Sequence, residues 1–215
     1  MAVASLTGII SSFSSLAIPI TWLIVRPVHA TATFRLLLLY ALCTFIGDRI
    51  PDIIGSSATT TRVLSFVVTI IEYTIFTLLY YRFFHRKGNK RWVIIGSVIF
   101  LTTVVLELDK FGFLYYSRFN AGTAAMLIIS YTFLLFHEWL MDDPMEMIYN
   151  KVEFWIALGC LVYLSGSFFF YLTVGKKWEE NWVLHSVCNL VKHLFFSIAI
   201  VQAAPRTATK KTFEG

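Results

Sequence analysis

Long apolar runs with few charged residues recur along the whole chain, and they constrain its fold more than any other feature. Each run approaches the roughly twenty residues that a helix needs to cross a hydrocarbon core about 30 Å thick. Because lipid offers no partner for backbone N–H and C=O groups, each spanning run must be helical. The sequence therefore predicts an all-α, polytopic bundle of seven transmembrane helices, at residues 3–25, 33–54, 63–84, 92–106, 120–141, 152–174 and 182–203.

Composition excludes a soluble domain and narrows the organisation of the chain. Hydrophobic residues make up 57% of the sequence, charged residues 14%, and the mean hydropathy is +0.70. No linker rich in Gly, Ser or Pro separates two blocks, so residues 1–205 are predicted to form one transmembrane domain. Residues 206–215 form the only segment of low hydrophobicity, and we expect a disordered cytoplasmic tail there.

The distribution of Lys and Arg predicts the orientation in the membrane. With the N-terminus outside, eleven Lys and Arg residues fall in inner segments and six in outer segments. Since basic residues accumulate on the cytoplasmic side, this bias favours an outer N-terminus and an inner C-terminus. The net charge of +5 is then a signal of topology. The expected contact is the lipid bilayer, and no nucleic-acid partner is expected because no basic soluble domain is present.

Two opposite charges interrupt the apolar runs at matching depths. Glu72 lies ten residues into the third run, counted from Arg62, and Lys192 lies ten residues into the seventh, counted from Trp182. At 1.5 Å per residue, both are about 15 Å deep. A lone charge at that level raises the free energy of membrane insertion by roughly 2.5 to 3.5 kcal/mol, and such a residue normally faces the bundle interior. We therefore expect Glu72 and Lys192 to pair inside the bundle.

Polar residues at helical spacing accompany both charges. His185, Asn189 and Lys192 follow an i, i+4, i+7 pattern, which places them along one face of a helix. Two interpretations stay open: a salt bridge that fixes the helix register, or a pocket that binds a ligand. In either case the predicted polar core consists of Glu72, Lys192, Asn189, His185, Tyr73, Thr69, Tyr163 and Ser167.

The function expected from these features is that of a non-enzymatic sensor or accessory protein. A signal would alter the buried network, and the bundle would pass the change to a membrane or cytoplasmic signalling partner. The candidate partner or lipid surfaces are the acidic segment 138–147 and the basic run 85–91, with Arg86, Lys87, Lys90 and Arg91. The histidines lie at different depths, so no zinc site and no other metal site is expected.

Two further functions remain as alternatives. One is a rhodopsin-like protein that binds retinal, with Lys192 as the Schiff base and Glu72 as its counterion. The segment Glu72-Tyr73-Thr74 resembles the Glu-Tyr-Ser region of heliorhodopsins, but the third run lacks the Trp that neighbours the carboxylate in microbial rhodopsins. The other is a small transporter, for which broken spans or repeated halves are typical. The sequence displays neither feature, and otherwise no cofactor is expected.

Two segments carry a resemblance to a wider group. FWIALGCLVYLSGSFFFYLTV at 154–174 and WVLHSVCNLVKHLFFSIAI at 182–200, together with the Glu72 run, resemble a family of uncharacterised bacterial membrane proteins with seven spans. The resemblance implies an orphan, sensor-like protein of the bacterial inner membrane. It also implies interior positions, which are Glu72, Tyr163, Ser165, Gly166, His185, Asn189 and Lys192.

Overall fold

A computed structural model describes residues 2–25, 32–54, 58–111, 118–142, 147–173 and 178–204. These residues form eight α-helices and one turn of 3-10 helix at Ile148–Asn150, and they contain no β-strand. The tail at 206–215 lies outside the described residues. The α-helices are α1 Ala2–Ser14, α2 Ala17–Val25, α3 Ala32–Ile54, α4 Ala58–Phe83, α5 Lys87–Phe111, α6 Arg118–Asp142, α7 Val152–Thr173 and α8 Trp178–Gln202.

Six helical stretches are long and apolar enough to cross a membrane, so the chain is a multi-pass membrane protein. They are Thr7–Val25, Val63–Phe83, Lys87–Lys110, Phe119–Asp142, Val152–Phe169 and Val183–Gln202. The predicted all-α membrane bundle is therefore confirmed. The missing span is the second, because Arg35, Asp48, Arg49 and Asp52 leave at least three charges in every 18-residue window of α3. The total of seven spans and the orientation stay predictions.

The first predicted span is broken, although the sequence analysis found no interrupted span. Helix α1 ends at Ser14 and α2 begins at Ala17. Pro19 explains the break, because its ring clashes with the carbonyl of residue 15 and its nitrogen cannot donate a hydrogen bond. The backbone closes the gap with tighter bonds, from Leu16 N to the Phe13 carbonyl at 3.1 Å and from Ile18 N to the Ser15 carbonyl at 3.4 Å.

The broken first span and five helices form a ring, and mostly apolar side chains fill its interior together with the buried Lys192. The broken first span packs on α8, α8 on α7, α7 on α6, α6 on α4, α4 on α3, and α3 returns to the first span. Two glycines bring α7 and α8 together. A Cβ at Gly159 would lie 3.0 Å from the Phe196 ring, and one at Gly166 would collide with Cys188. The α7–α8 contact is therefore close along two turns of each helix.

Helix α5 lies outside this ring, against α4 and α6. It is much longer than the predicted fourth span of 92–106, since it includes part of the basic run 85–91. The hydroxyl of Tyr131 reaches α5 at Gly96, where any side chain would collide with it, and donates to the Val93 carbonyl at 3.3 Å. The outer face of α5 is apolar and exposed, as expected where a helix meets lipid.

Candidate functional site

The charged centre of the bundle is a three-residue chain built from α3, α4 and α8. Lys192 of α8 has no exposed surface, and its ammonium donates to the hydroxyl of Tyr40 on α3. That hydroxyl in turn donates to Glu72 Oε1 on α4 at 3.0 Å. The two predicted charges do approach each other, but through a tyrosine, and no direct ion pair joins them among the described contacts. We call this chain the Lys192–Tyr40–Glu72 relay.

Aromatic rings surround the ammonium end of the relay. Lys192 Nζ lies 3.4 Å from the centroid of the Tyr163 ring and 4.9 Å from that of Tyr40. Such contacts stabilise a desolvated cation through the negative face of the ring. Phe76 and Phe196 close the same region, with ring centroids 4.9 Å and 6.0 Å from that of Tyr40. The ammonium is therefore held by two tyrosines and enclosed by phenylalanines.

The carboxylate end of the relay faces a cleft. Within the described part of the chain, Glu72 Oε2 has one long contact, at 3.5 Å, with the Tyr163 hydroxyl, and the Glu72 side chain is partly exposed. The cleft contains about 340 Å³ of space, including its open mouth. Lys192 does not line it. Its walls come from α4, α6 and α7, with Thr69, Glu72, Tyr73, Phe76, Ala121, Ala124, Ala125, Ile128, Tyr163, Leu164 and Ser167.

The remaining predicted residues divide between the cleft and a separate contact with α1. Ser167 Oγ lies 3.2 Å from His185 Nδ1, and the His185 ring is 5.6 Å from that of Tyr163, so this pair adjoins the relay. Asn189 instead donates to Ser11 Oγ at 2.9 Å. The next turn of α8 repeats the contact, with His193 Nδ1 at 2.7 Å from Ser14 Oγ.

Two predicted residues of α4 line the cleft without joining the relay. Thr69 Oγ1 donates back to the Ser65 carbonyl of its own helix at 2.8 Å. The Tyr73 hydroxyl lies 3.3 Å from that of Tyr131, and its ring stacks on Phe100 of α5 with a centroid separation of 3.9 Å. Their polar groups are therefore directed away from Glu72, while both side chains contribute to the cleft wall.

A fully buried carboxylate organises the end of the bundle where α4 ends and α5 begins. Glu138 of α6 has no exposed surface. Its Oε1 accepts the backbone N–H groups of His85 at 2.6 Å and Arg86 at 3.1 Å, and its Oε2 accepts Asn89 Nδ2 at 2.5 Å. A carboxylate is well placed at a helix N-terminus, where unpaired N–H groups and the helix dipole attract negative charge. We call this arrangement the Glu138 clamp.

The clamp changes the interpretation of the predicted partner surfaces. Arg86 pairs with Asp142 of α6 in an exposed ion pair, so the basic run and the acidic segment bind each other. Lys90 lies 5.3 Å from the Tyr81 ring centroid, while Lys87 and Arg91 are exposed on the first turns of α5. Of the acidic segment, residues 143–146 lie outside the described residues. A role of this surface in partner or lipid binding stays a prediction.

The sequence analysis missed Tyr40 entirely and did not single out Glu138. Tyr40 carries the one side-chain hydroxyl within the apolar stretch Leu36–Cys43, at mid-helix rather than at a span end. That position distinguishes it from interfacial aromatic residues. Glu138 could have been recognised from its place within an apolar run, since an acidic residue there needs a partner. It lies four residues before Asp142, on the same face of α6.

No group of three or more metal-ligating side chains that could hold an ion occurs in the described part of the chain. No family model matches the sequence, and no curated protein or solved structure is detectably similar to it. The resemblance to bacterial seven-span proteins thus stays a prediction. The relay, the cleft and the clamp are the features of the molecule from which a function can be inferred.

Proposed function

We propose that this protein is a non-enzymatic, receptor-like sensor in which the Lys192–Tyr40–Glu72 relay changes state. The observation that supports the proposal is that two opposite charges on α4 and α8 are joined through the hydroxyl of a third helix. Interactions between buried charges are strong, so replacing one partner can shift a packing equilibrium by several kcal/mol. The same hydroxyl serves both charges, and its loss would uncouple three helices at once.

Helix α4 offers a physical route from the relay to a partner surface. Glu72 and Phe83, the last residue of α4, are eleven residues apart, which corresponds to about 16 Å along a helix. Immediately beyond Phe83, the backbone of His85 and Arg86 binds Glu138. A shift of α4 would therefore pull on the clamp. The exposed Lys87 and Arg91 at the start of α5 would carry the change to a cytoplasmic partner.

Hydrogen exchange in the Tyr40→Phe variant tests this coupling. The substitution removes the shared hydroxyl and keeps both charges. We expect amide exchange within residues 84–91 to accelerate about threefold or more, while the α6 segment 119–128 exchanges as in the parent protein. Tyr149→Phe is the matched control, because Tyr149 is exposed and far from the relay along the chain.

Unchanged exchange at 84–91 in a folded Tyr40→Phe protein would overturn the proposed coupling. Uniform acceleration in all segments would do the same, because it would indicate a general loss of stability. Cross-linking in native membranes addresses the partner: Lys87→Gln with Arg91→Gln should abolish a cross-linked product that the parent protein forms.

A second candidate is a retinal-binding protein. The complete burial of the Lys192 amine favours it, and so does the Glu72 carboxylate, which is separated from that amine by the Tyr40 hydroxyl alone. Tyr40 and Tyr163 enclose the amine, and the cleft lies beside Glu72 instead, so a polyene would have to displace packed rings. Absorbance of the purified protein with added retinal tests this candidate. A visible band that disappears in Lys192→Ala and bleaches with hydroxylamine would establish it.

A third candidate is a small transporter, favoured by the interruption between α1 and α2. Discontinuous helices in transporters place free backbone groups at a substrate site. Here the interruption is followed by Pro19, and the serines before it bind Asn189 and His193. Uptake of a labelled substrate into proteoliposomes would be required to support this candidate over a sensor.

A further inference from the structure

We infer that the cleft between α4, α6 and α7 is a binding site for a small organic ammonium ion, with Glu72 as the countercharge. The inference rests on the proposed function and names the class of ligand to which the sensor would respond. Among the described residues that line the cleft, Glu72 carries the one charged side chain. Lys192 lies behind the Tyr163 ring and does not line the cleft. Charge complementarity therefore favours a cation.

The walls of the cleft favour an organic cation over a bare metal ion. Tyr73, Phe76 and Tyr163 contribute aromatic rings, and such rings bind alkylammonium groups through cation–π attraction. Metal ions instead require several converging oxygen or nitrogen ligands, and the described residues contain no such group of His, Cys, Asp or Glu. The alanines of α6 line the opposite wall and leave room for methylene or methyl groups.

The incomplete coordination of Glu72 leaves an acceptor for the ligand. Tyr40 occupies Oε1 at 3.0 Å, whereas among the described residues Oε2 has one contact, of 3.5 Å, with the Tyr163 hydroxyl. A carboxylate oxygen can accept two hydrogen bonds. A ligand N–H could therefore bind Oε2 without displacing Tyr40. The ligand ammonium would then share the carboxylate with Lys192, and the two cations would repel each other.

This competition gives the relay a direct response to the ligand. An ammonium ion in the cleft attracts Glu72 towards α6 and α7, and so weakens the Tyr40 contact on the opposite side. It also lowers the net attraction between Glu72 and Lys192. Both effects loosen the connection between α4 and α8, which is the change of state that the proposed function requires.

Binding of butylammonium and tetramethylammonium to the full chain in detergent tests the site, with neutral butanol as the control ligand. We expect a saturable rise in Tm of about 4 °C at ten times Kd for at least one of the two cations, and none with butanol. Glu72→Gln should abolish the rise. Lys192→Met should tighten binding about tenfold, because the competing cation is removed.

Ala124→Leu provides a test that leaves the charges unchanged. The larger side chain would fill the cleft from α6, so the folded variant should lose ammonium binding. Ser130→Ala, on the exposed face of the same helix, is the matched control and should bind as the parent protein does. Equal binding by the parent and Ala124→Leu proteins would overturn the site, whatever happens to the Glu72 variant.

The ammonium group could belong to a soluble amine or to a lipid headgroup. Nanodiscs with and without phosphatidylethanolamine separate these sources. Headgroup binding predicts a higher Tm only with that lipid, and only when Ala124 is retained. If neither of the two cations raises Tm, and phosphatidylethanolamine does not raise it either, the inference is wrong. The exchange test at 84–91 uses no ligand, so it would still decide the proposed function independently.

Discussion

Two carboxylates in the interior of the bundle, Glu72 and Glu138, differ in how completely their oxygens are paired. Glu138 receives three hydrogen bonds between 2.5 and 3.1 Å and has no exposed surface. Glu72 receives one bond at 3.0 Å and one long contact at 3.5 Å, and it faces a cleft. The comparison indicates that Glu138 is fixed by backbone geometry, whereas Glu72 is balanced by a charge and keeps capacity for another partner.

Neutralising Glu72 alone is expected to have the largest effect. Glu72→Gln leaves the Lys192 ammonium buried without a carboxylate, and unpairing a buried charge costs about 3 to 5 kcal/mol. Adding Lys192→Met should restore most of this free energy of unfolding, because no unpaired ion then remains. Equilibrium unfolding in mixed detergent micelles, followed by circular dichroism, measures both variants. A double variant no more stable than Glu72→Gln would show that charge balance does not govern this site.

Neutralising Glu138 is expected to lower the free energy of unfolding somewhat less. A second substitution is not expected to restore the loss. Glu138→Gln replaces charge-assisted bonds to two backbone N–H groups with weaker ones, at a cost of about 2 kcal/mol. No second neutral substitution can restore it, since the donors belong to the backbone of His85 and Arg86. The same unfolding assay applies. Asp142→Asn is the control and should cost under about 1 kcal/mol, because its pair with Arg86 is exposed.

If adding Arg86→Gln restored the stability lost in Glu138→Gln, Glu138 would not be held mainly by hydrogen bonds from the backbone. That result would indicate instead that Glu138 is held by the positive charge of the basic run, as Glu72 is by Lys192. The two sites would then be alike, and the comparison would fail.

The smallest expected difference separates the two tyrosines that contact Glu72. Tyr40→Phe removes a hydroxyl bonded to both charges and should cost about 2 kcal/mol. Tyr163→Phe removes a hydroxyl whose contact with Glu72 is long, at 3.5 Å, and keeps the ring beneath the ammonium, so a cost of about 0.5 kcal/mol is expected. The apparent Tm of the two variants gives the ranking. Equal losses would mean that the relay does not pass through Tyr40 alone.

The sequence predicts the parts of the fold that depend on solvent and leaves open those that depend on tertiary contacts. Apolar length alone identified the helices, because lipid imposes one secondary structure on every run. The break after Ser14 was missed, although Pro19 marks it, because hydropathy is insensitive to backbone hydrogen bonds. The extension of α5 to Lys87 was missed because its first turn is stabilised by Glu138, a residue 51 positions further along the chain.

The sequence singles out the two charges of the relay but not the hydroxyl between them. The free energy needed to insert a charge into the membrane singled out Glu72 and Lys192 without knowledge of their neighbours. Tyr40 could not be placed between them, because the arrangement of α3 beside α4 and α8 is not encoded in any local spacing. The direction of the Tyr73 hydroxyl towards Tyr131 likewise depends on the packing of α5 outside the ring.

The glycine contacts between α7 and α8 also determine how the ammonium end of the relay is held. A larger residue at Gly159 would meet the Phe196 ring, and one at Gly166 would collide with Cys188, so this close approach of the two helices requires glycine at both positions. The same approach brings Tyr163 of α7 over the ammonium of Lys192 on α8. The spacing between a cation and the ring that stabilises it is therefore set by two residues that take no part in that contact.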